Sequence, residues 1–212
     1  ANQFYENFWQ QAATSPDQLR RRMTFALSQI FVISMVDAAV GQNVRGAASY
    51  YDMLSANAFG NFRTLLEAVT LHPMMGIYLT YMGSQKEDTA GTRTPDENYA
   101  REVMQLMTIG LYQLNTDGTR KLDGSGNPIP TYTQDDIKGL AKVFTGISWY
   151  SPSPTNTTFA GGNRDANSDI TPMIFYPTFH STSQKQFLGA NIPASTTVDV
   201  AGDLKIALDT LF

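Results

Sequence analysis

The chain has 212 residues, a formal charge of −4, and 42% hydrophobic and 11% aromatic side chains, enough length and apolar content for one large domain with a sizeable core. Only 16% of residues are charged, against roughly a quarter in ordinary domains, so the surface is rich in Ser, Thr, Asn and Gln, which suits a periplasmic or extracellular setting. The lack of cysteine excludes disulfides, thiolate metal sites and cysteine nucleophiles, and the short cluster Arg20-Arg21-Arg22 is too small a basic patch for nucleic acid.

The chain opens on an aromatic stretch, Phe4, Tyr5, Phe8 and Trp9, expected to pack on the core. Ser15-Pro16-Asp17-Gln18 reads as a helix start, with a hydroxyl cap, a proline in the first turn and an early acid. Leu19, Met23, Ala26, Leu27, Ile30 and Phe31 follow at helical spacing. The apolar stretch Met23 to Val40 is interrupted by Ser28, Gln29, Ser34 and Asp37, so no membrane span is predicted. Phe62, Leu65, Leu66 and Val69 line a further helix that stops near His72. Pro73 then opens a short helix that the His72 ring is placed to cap.

Thr94-Pro95-Asp96-Glu97 repeats the capping pattern ahead of Tyr99, Val103, Leu106 and Met107. Between Leu111 and Thr131, the turn clusters Asn115 to Gly118 and Asp123 to Pro128 predict a small β-hairpin or meander. Thr133 to Asp136 starts another helix, with Gly146 as its stop. Residues 150–170 form a flexible polar loop, long enough to serve as a lid or a partner surface. Leu204, Ala207, Leu208 and Leu211 mark a last helix. The expected fold is mainly α, with about six helices around one core, in a single helical domain over residues 1–212. The chain begins at Ala1 and ends at Phe212 within an apolar helical pattern, so it is expected to be truncated at both ends.

The densest group of functional side chains runs from Pro95 to Glu102. Capping explains Asp96 and Glu97. Glu102 lies past the first turn beside Tyr99, Val103 and Leu106, so it is expected to be partly buried and to need a partner. An ion pair with Arg20, Arg22 or Arg63 is one reading, and a catalytic carboxylate is the other. His180 reads as exposed beside a polar loop or, alternatively, as a catalytic partner that the loop brings to Glu102. Asn98, Arg101 and Trp149 complete the candidate binding residues. No histidine pair has metal-ligand spacing, and the calcium-like run from Asp123 has Pro128 at its sixth position and Gln134 at its twelfth. No phosphate loop or dinucleotide fingerprint is present, so neither metal nor cofactor is expected.

The run Asp96-Glu97-Asn98-Tyr99-Ala100-Arg101-Glu102, with Gln105-Leu106 and Gly110-Leu111, resembles the NENYARE core of the bacterial family labelled domain of unknown function 1800 (DUF1800). Leu19 to Arg22, Ala58 to Leu66, His72 to Met75, Tyr132 to Asp136, Phe144 to Gly146 and Lys185 to Gly189 extend the resemblance in order along nearly the whole chain. It implies a longer, exported protein, encoded beside a sulfatase-like family, in an envelope, polymer or sulfated-glycan context. Many members have His-Asp where this chain has His180-Ser181. Some carry a Trp-His-x-His-Phe motif where this chain has Ala26 to Phe31. Two functions are therefore expected: a helical accessory or scaffold module of the cell envelope with an envelope protein or glycan partner, or a hydrolase of a polymer or glycan built around Glu102, Asn98, Arg101 and His180. The oligomeric state is left open.

Overall fold

A computed structural model describes residues 2–212, and Ala1, where a cut end is expected, lies outside the described residues. The helices in chain order are α1 (Asn2–Thr14), α2 (Gln18–Ile30), α3 (Ala38–Gly41), α4 (Val44–Ala56), α5 (Phe62–Leu71), α6 (Pro73–Tyr78), α7 (Asn98–Glu102), α8 (Gln134–Val143), α9 (Asn156–Phe159) and α10 (Val200–Leu211). The strands are β1 (Ile147–Ser148), β2 (Ile174–Phe175), β3 (Lys185–Phe187) and β4 (Ala190–Ile192). The fold is mainly α, with two small antiparallel strand pairs. The described residues carry four helices beyond the six expected: α3 and α9 have four residues each, too short to show a repeating apolar face, and α1 and α4, with 13 residues each, are not among those expected. Among the described residues, no helix is long and apolar enough to cross a membrane.

The chain divides into two units, one made of residues up to Gly83 with Ile147–Tyr176, the other of Ser84–Gly146 with Pro177–Phe212. In the first, α2 packs on α4 and α1 on α2. Asp17, not Ser15, stands at the N-cap of α2. Ser15 bonds instead to the Asp17 carboxylate, so the chain is tied down before the helix begins. The α5–α6 junction follows the sequence closely: His72 ends one helix and its Nδ1 accepts from Met74 N at 3.2 Å to start the next. Tyr50 is buried and donates to Phe31 O at 2.9 Å, which ties α4 to the end of α2. The polar segment 150–170 carries α9, capped by a Thr155–Thr158 box. It also buries Phe159 and Ser168, and Asp169 pairs with Arg45.

In the second unit, β3 lies so close on α8 that a Cβ on Gly139 would sit 1.8 Å from Gln186 O. Only glycine permits that approach. β3 and β4 pair with Phe187 opposite Ala190. They turn through Leu188 and Gly189 at φ 48° and 82°, both in the left-handed region that a two-residue hairpin of this kind needs. Leu188 N donates to Asp136 Oδ1 at 2.7 Å, which holds the turn on α8. α8 has the expected Thr133–Asp136 capping box. Apolar residues of α7, α8, β3 and α10 form the interior, with Tyr99 edge-on to Phe144 at 4.8 Å. The predicted meander forms as three extended segments joined by Gln113 N to Ile129 O (2.9 Å), Lys121 N to Gln113 O (2.8 Å) and Ile129 N to Lys121 O (3.0 Å).

Candidate functional site

A tightly bonded group of ionisable side chains gathers around His180 in the second unit. A 3-10 turn, Pro177–Phe179, delivers His180 directly after it. Its ring is buried, with 1% of its surface exposed. This corrects the exposed reading: the neighbouring sequence is polar, but the turn aims the ring inward at α8 and α10. Nδ1 lies 2.7 Å from Thr145 O and 3.3 Å from the Thr145 hydroxyl. A carbonyl only accepts, so this contact calls for a ring proton. Nε2 lies 2.9 Å from Asp203 Oδ2, again an accepting oxygen.

Asp203 sits in the first turn of α10, whose N-cap, Asp199, accepts from Gly202 N at 2.9 Å. The positive helix end favours a carboxylate here. Lys185, 3% exposed at the start of β3, places Nζ 2.9 Å from the same Asp203 oxygen and donates to Ser181 O at 2.7 Å. It reaches Ser183 O at 3.5 Å. Burial works against a charge on Asp203, but hydrogen bonds from His180 and Lys185, with the Lys185 charge, outweigh it and hold the carboxyl below its ordinary range.

A second carboxylate joins this frame. Glu87 Oε1 accepts from Ser181 Oγ at 3.0 Å and from Ser183 Oγ. Its Oε2 is buried with no partner among the described residues. Burial opposes its charge too, yet the two serine hydroxyls, its own backbone and the Lys142 charge hold it below the usual value. A cavity of about 440 Å³ opens beside the cluster, lined by His180, Lys185 and Asp203 with Ser195, Thr197 and Val198.

The helix nominated from sequence lies in the same unit. Thr94 does not cap it: α7 begins at Asn98, and Asp96 Oδ1 accepts from Asn98 N at 2.8 Å. Residues 92–97 carry no regular structure, and Glu97 stands at the N-cap, three residues after Thr94. Glu102 ends α7 half-buried, with Oε2 buried and unpartnered among the described residues. A π-helical turn, Val103–Met107, follows, a local irregularity that recurs at functional sites. Arg101 reaches Glu97 Oε2 at 3.4 Å and Gln134 Oε1 at 3.3 Å, tying α7 to α8. The Tyr132 hydroxyl donates to Gln105 Oε1 at 2.9 Å. Burial raises its pKa, Arg101 lowers it, and the Glu102 charge raises it further. Glu102 and His180 are not joined by a hydrogen bond or ion pair among the described residues, and Glu102 does not line the cavity.

The remaining nominees belong to the first unit. Arg22 is exposed on α2. Arg63 pairs with Glu67 one turn on, at 2.7 Å. Arg20 donates to Ser55 O at 2.6 Å and lies over the Phe59 ring. Trp149 is 8% exposed, its ring covered by the Arg164 guanidinium at 4.2 Å.

Sequence reasoning missed Lys185, Asp203 and Thr145, although two signals were present. Lys185 and Phe187 are two apart on a strand and so share the inward face. Asp203 precedes Leu204 and stands four before Ala207, on the helix side that carries the apolar repeat. A lysine and a carboxylate on two buried faces pointed to each other. No group of metal-ligating side chains occurs among the described residues.

Comparison with known proteins agrees with the motif resemblance. No curated protein and no solved structure matches the chain. The model of one family matches residues 1–212, so the chain belongs to the family described as protein of unknown function, DUF1800.

Proposed function

We propose that this chain is a helical accessory or scaffold module of the bacterial cell envelope, in which the His180–Asp203–Lys185 cluster is a structural lock. The observation that carries this reading is the engagement of the cluster's nitrogens. Both ring nitrogens of His180 and the ammonium of Lys185 are held by protein oxygens. A general acid or base must offer substrate a proton or a lone pair, and the His180 ring has neither to spare. The lock binds β3, the end of α8 and the start of α10, three segments far apart in sequence.

Export is supported by the low charge content and by the family resemblance. Fractionation of native cells with an antibody to the chain is expected to find it in the periplasm or outside the cell. Recovery in the cytosol contradicts this part of the proposal.

A second reading, hydrolysis of a polymer or glycan, draws on a different observation. Asp203 Oδ1 has no hydrogen bond among the described residues, and Asp203 lines the cavity. Asp203→Asn separates the two. The lock predicts a lower melting temperature and no specific loss of hydrolysis on polysaccharide substrates. A variant that melts like the parent but loses a hydrolytic activity establishes the enzyme and rejects the lock.

A further inference from the structure

A groove of about 440 Å³ in the first unit lies between α1 and α4. Gln3, Asn7 and Gln11 stand on α1 at intervals of four residues, so they form one stripe along a helix face. None of these three side-chain amides has a hydrogen-bond partner among the described residues. The wall behind them is aromatic: Phe4 and Phe8 each meet Tyr51 edge-on with ring centres 5.2 Å apart. Arg45 also borders the groove, but its guanidinium is committed to Asp169 and to Asn167 Oδ1 at 3.2 Å.

We propose that this groove binds a short neutral oligosaccharide. Each amide offers a donor and an acceptor side by side, which matches a hydroxyl that must both give and take. Three amides in line suit a ligand with repeated hydroxyls. Ring edges and faces suit the C–H faces of sugar rings. The volume falls within the roughly 300–1,000 Å³ of ligand sites. Among the described residues that line the groove, the one cation, Arg45, is already paired, which leaves none to hold a sulfated or otherwise anionic chain. A peptide is the poorer fit: an extended one docks on an open strand edge and a helical one on a mostly apolar groove, and here the groove lies between helices and carries an amide stripe. The proposal does not rest on the scaffold reading, and its failure leaves that reading untouched.

The test is a titration of the isotope-labelled protein with maltotriose, cellotriose and chitotriose, following the side-chain amide signals of Gln3, Asn7 and Gln11 by NMR. At least one sugar is expected to shift them saturably. The double variant Asn7→Ala/Gln11→Ala is expected to melt like the parent, since both side chains are exposed, and to bind about tenfold more weakly. Three results overturn the proposal: no saturable shift with any of the sugars up to about 20 mM, an affinity unchanged in the double variant, or displacement of the bound sugar by a neutral extended peptide.

Discussion

The two histidines are both buried, yet their surroundings engage them in different ways. His72, in the first unit, is 5% exposed. Its Nδ1 caps α6, while Nε2 has no hydrogen-bond partner among the described residues and lies edge-on to Tyr50, ring centres 5.0 Å apart. Burial pulls its pKa down to about 4, against the opposing charge of Asp169. His180, in the second unit, is buried more deeply but faces Thr145 O and Asp203, with Lys185 on the same carboxylate. Burial alone therefore does not decide how a side chain behaves. A lone ring is kept neutral and used as a cap, whereas a ring beside a carboxylate is tied into a lock built on the Lys185–Asp203 ion pair.

Breaking the lock should have the largest effect. Asp203→Leu leaves Lys185 buried without its counter-charge and is expected to cost about 3–5 kcal/mol of stability. Denaturant titration measures it, and a loss under about 1 kcal/mol speaks against a buried pair. The neutral histidine sets the next effect. Between pH 6.5 and about 4 the unfolded chain takes up a proton at His72 that the folded chain refuses. The stability His72 contributes is therefore whole above pH 6.5 and falls by about 3 kcal/mol as pH drops to 4. His72→Asn keeps a cap acceptor and should remove that dependence. Asp203, whose folded pKa lies below its ordinary 3.8, contributes stability that is present above that value and lost only as pH falls lower. Unfolding curves across this range separate the two windows.

The frame of the lock can be tested without touching its charges. Gly139→Ala drives a methyl into Gln186 O and is expected to cost about 1–3 kcal/mol as α8 and β3 separate. Glu102→Gln should do least. Its buried oxygen has no donor to lose, so the change is expected to stay within about 0.5 kcal/mol. A larger destabilisation shows that Glu102 is part of the fold's charge network.

Much of this fold can be read from local chemistry. The capping box at Thr133, the His72–Pro73 junction and the apolar repeat of α10 each depend on residues within a few positions of one another. α2 and α7 start two and three residues later than the cap-like sequences at Ser15 and Thr94 suggest, with Asp17 and Glu97 at the N-caps. The lock was only half legible. His180 could be nominated as a rare residue type, but its partners lie 35 and 23 positions away, and no short-range pattern joins them. Glu102 stands out through its motif, yet the structure brings its charge near Tyr132 and not to the cavity. What the sequence did show was a lysine and an aspartate each on a buried face, the mark of a pair whose geometry only the tertiary fold supplies.

The most direct test of the lock compares Asp203→Leu with the double variant Lys185→Met/Asp203→Leu by thermal unfolding. An apolar pair of similar size removes the stranded charge together with its partner, so the double variant is expected to recover most of the stability the single one loses. If the single variant melts with the parent, or if the double melts lower by the sum of two independent losses, the cluster is not a lock and the scaffold reading falls with it.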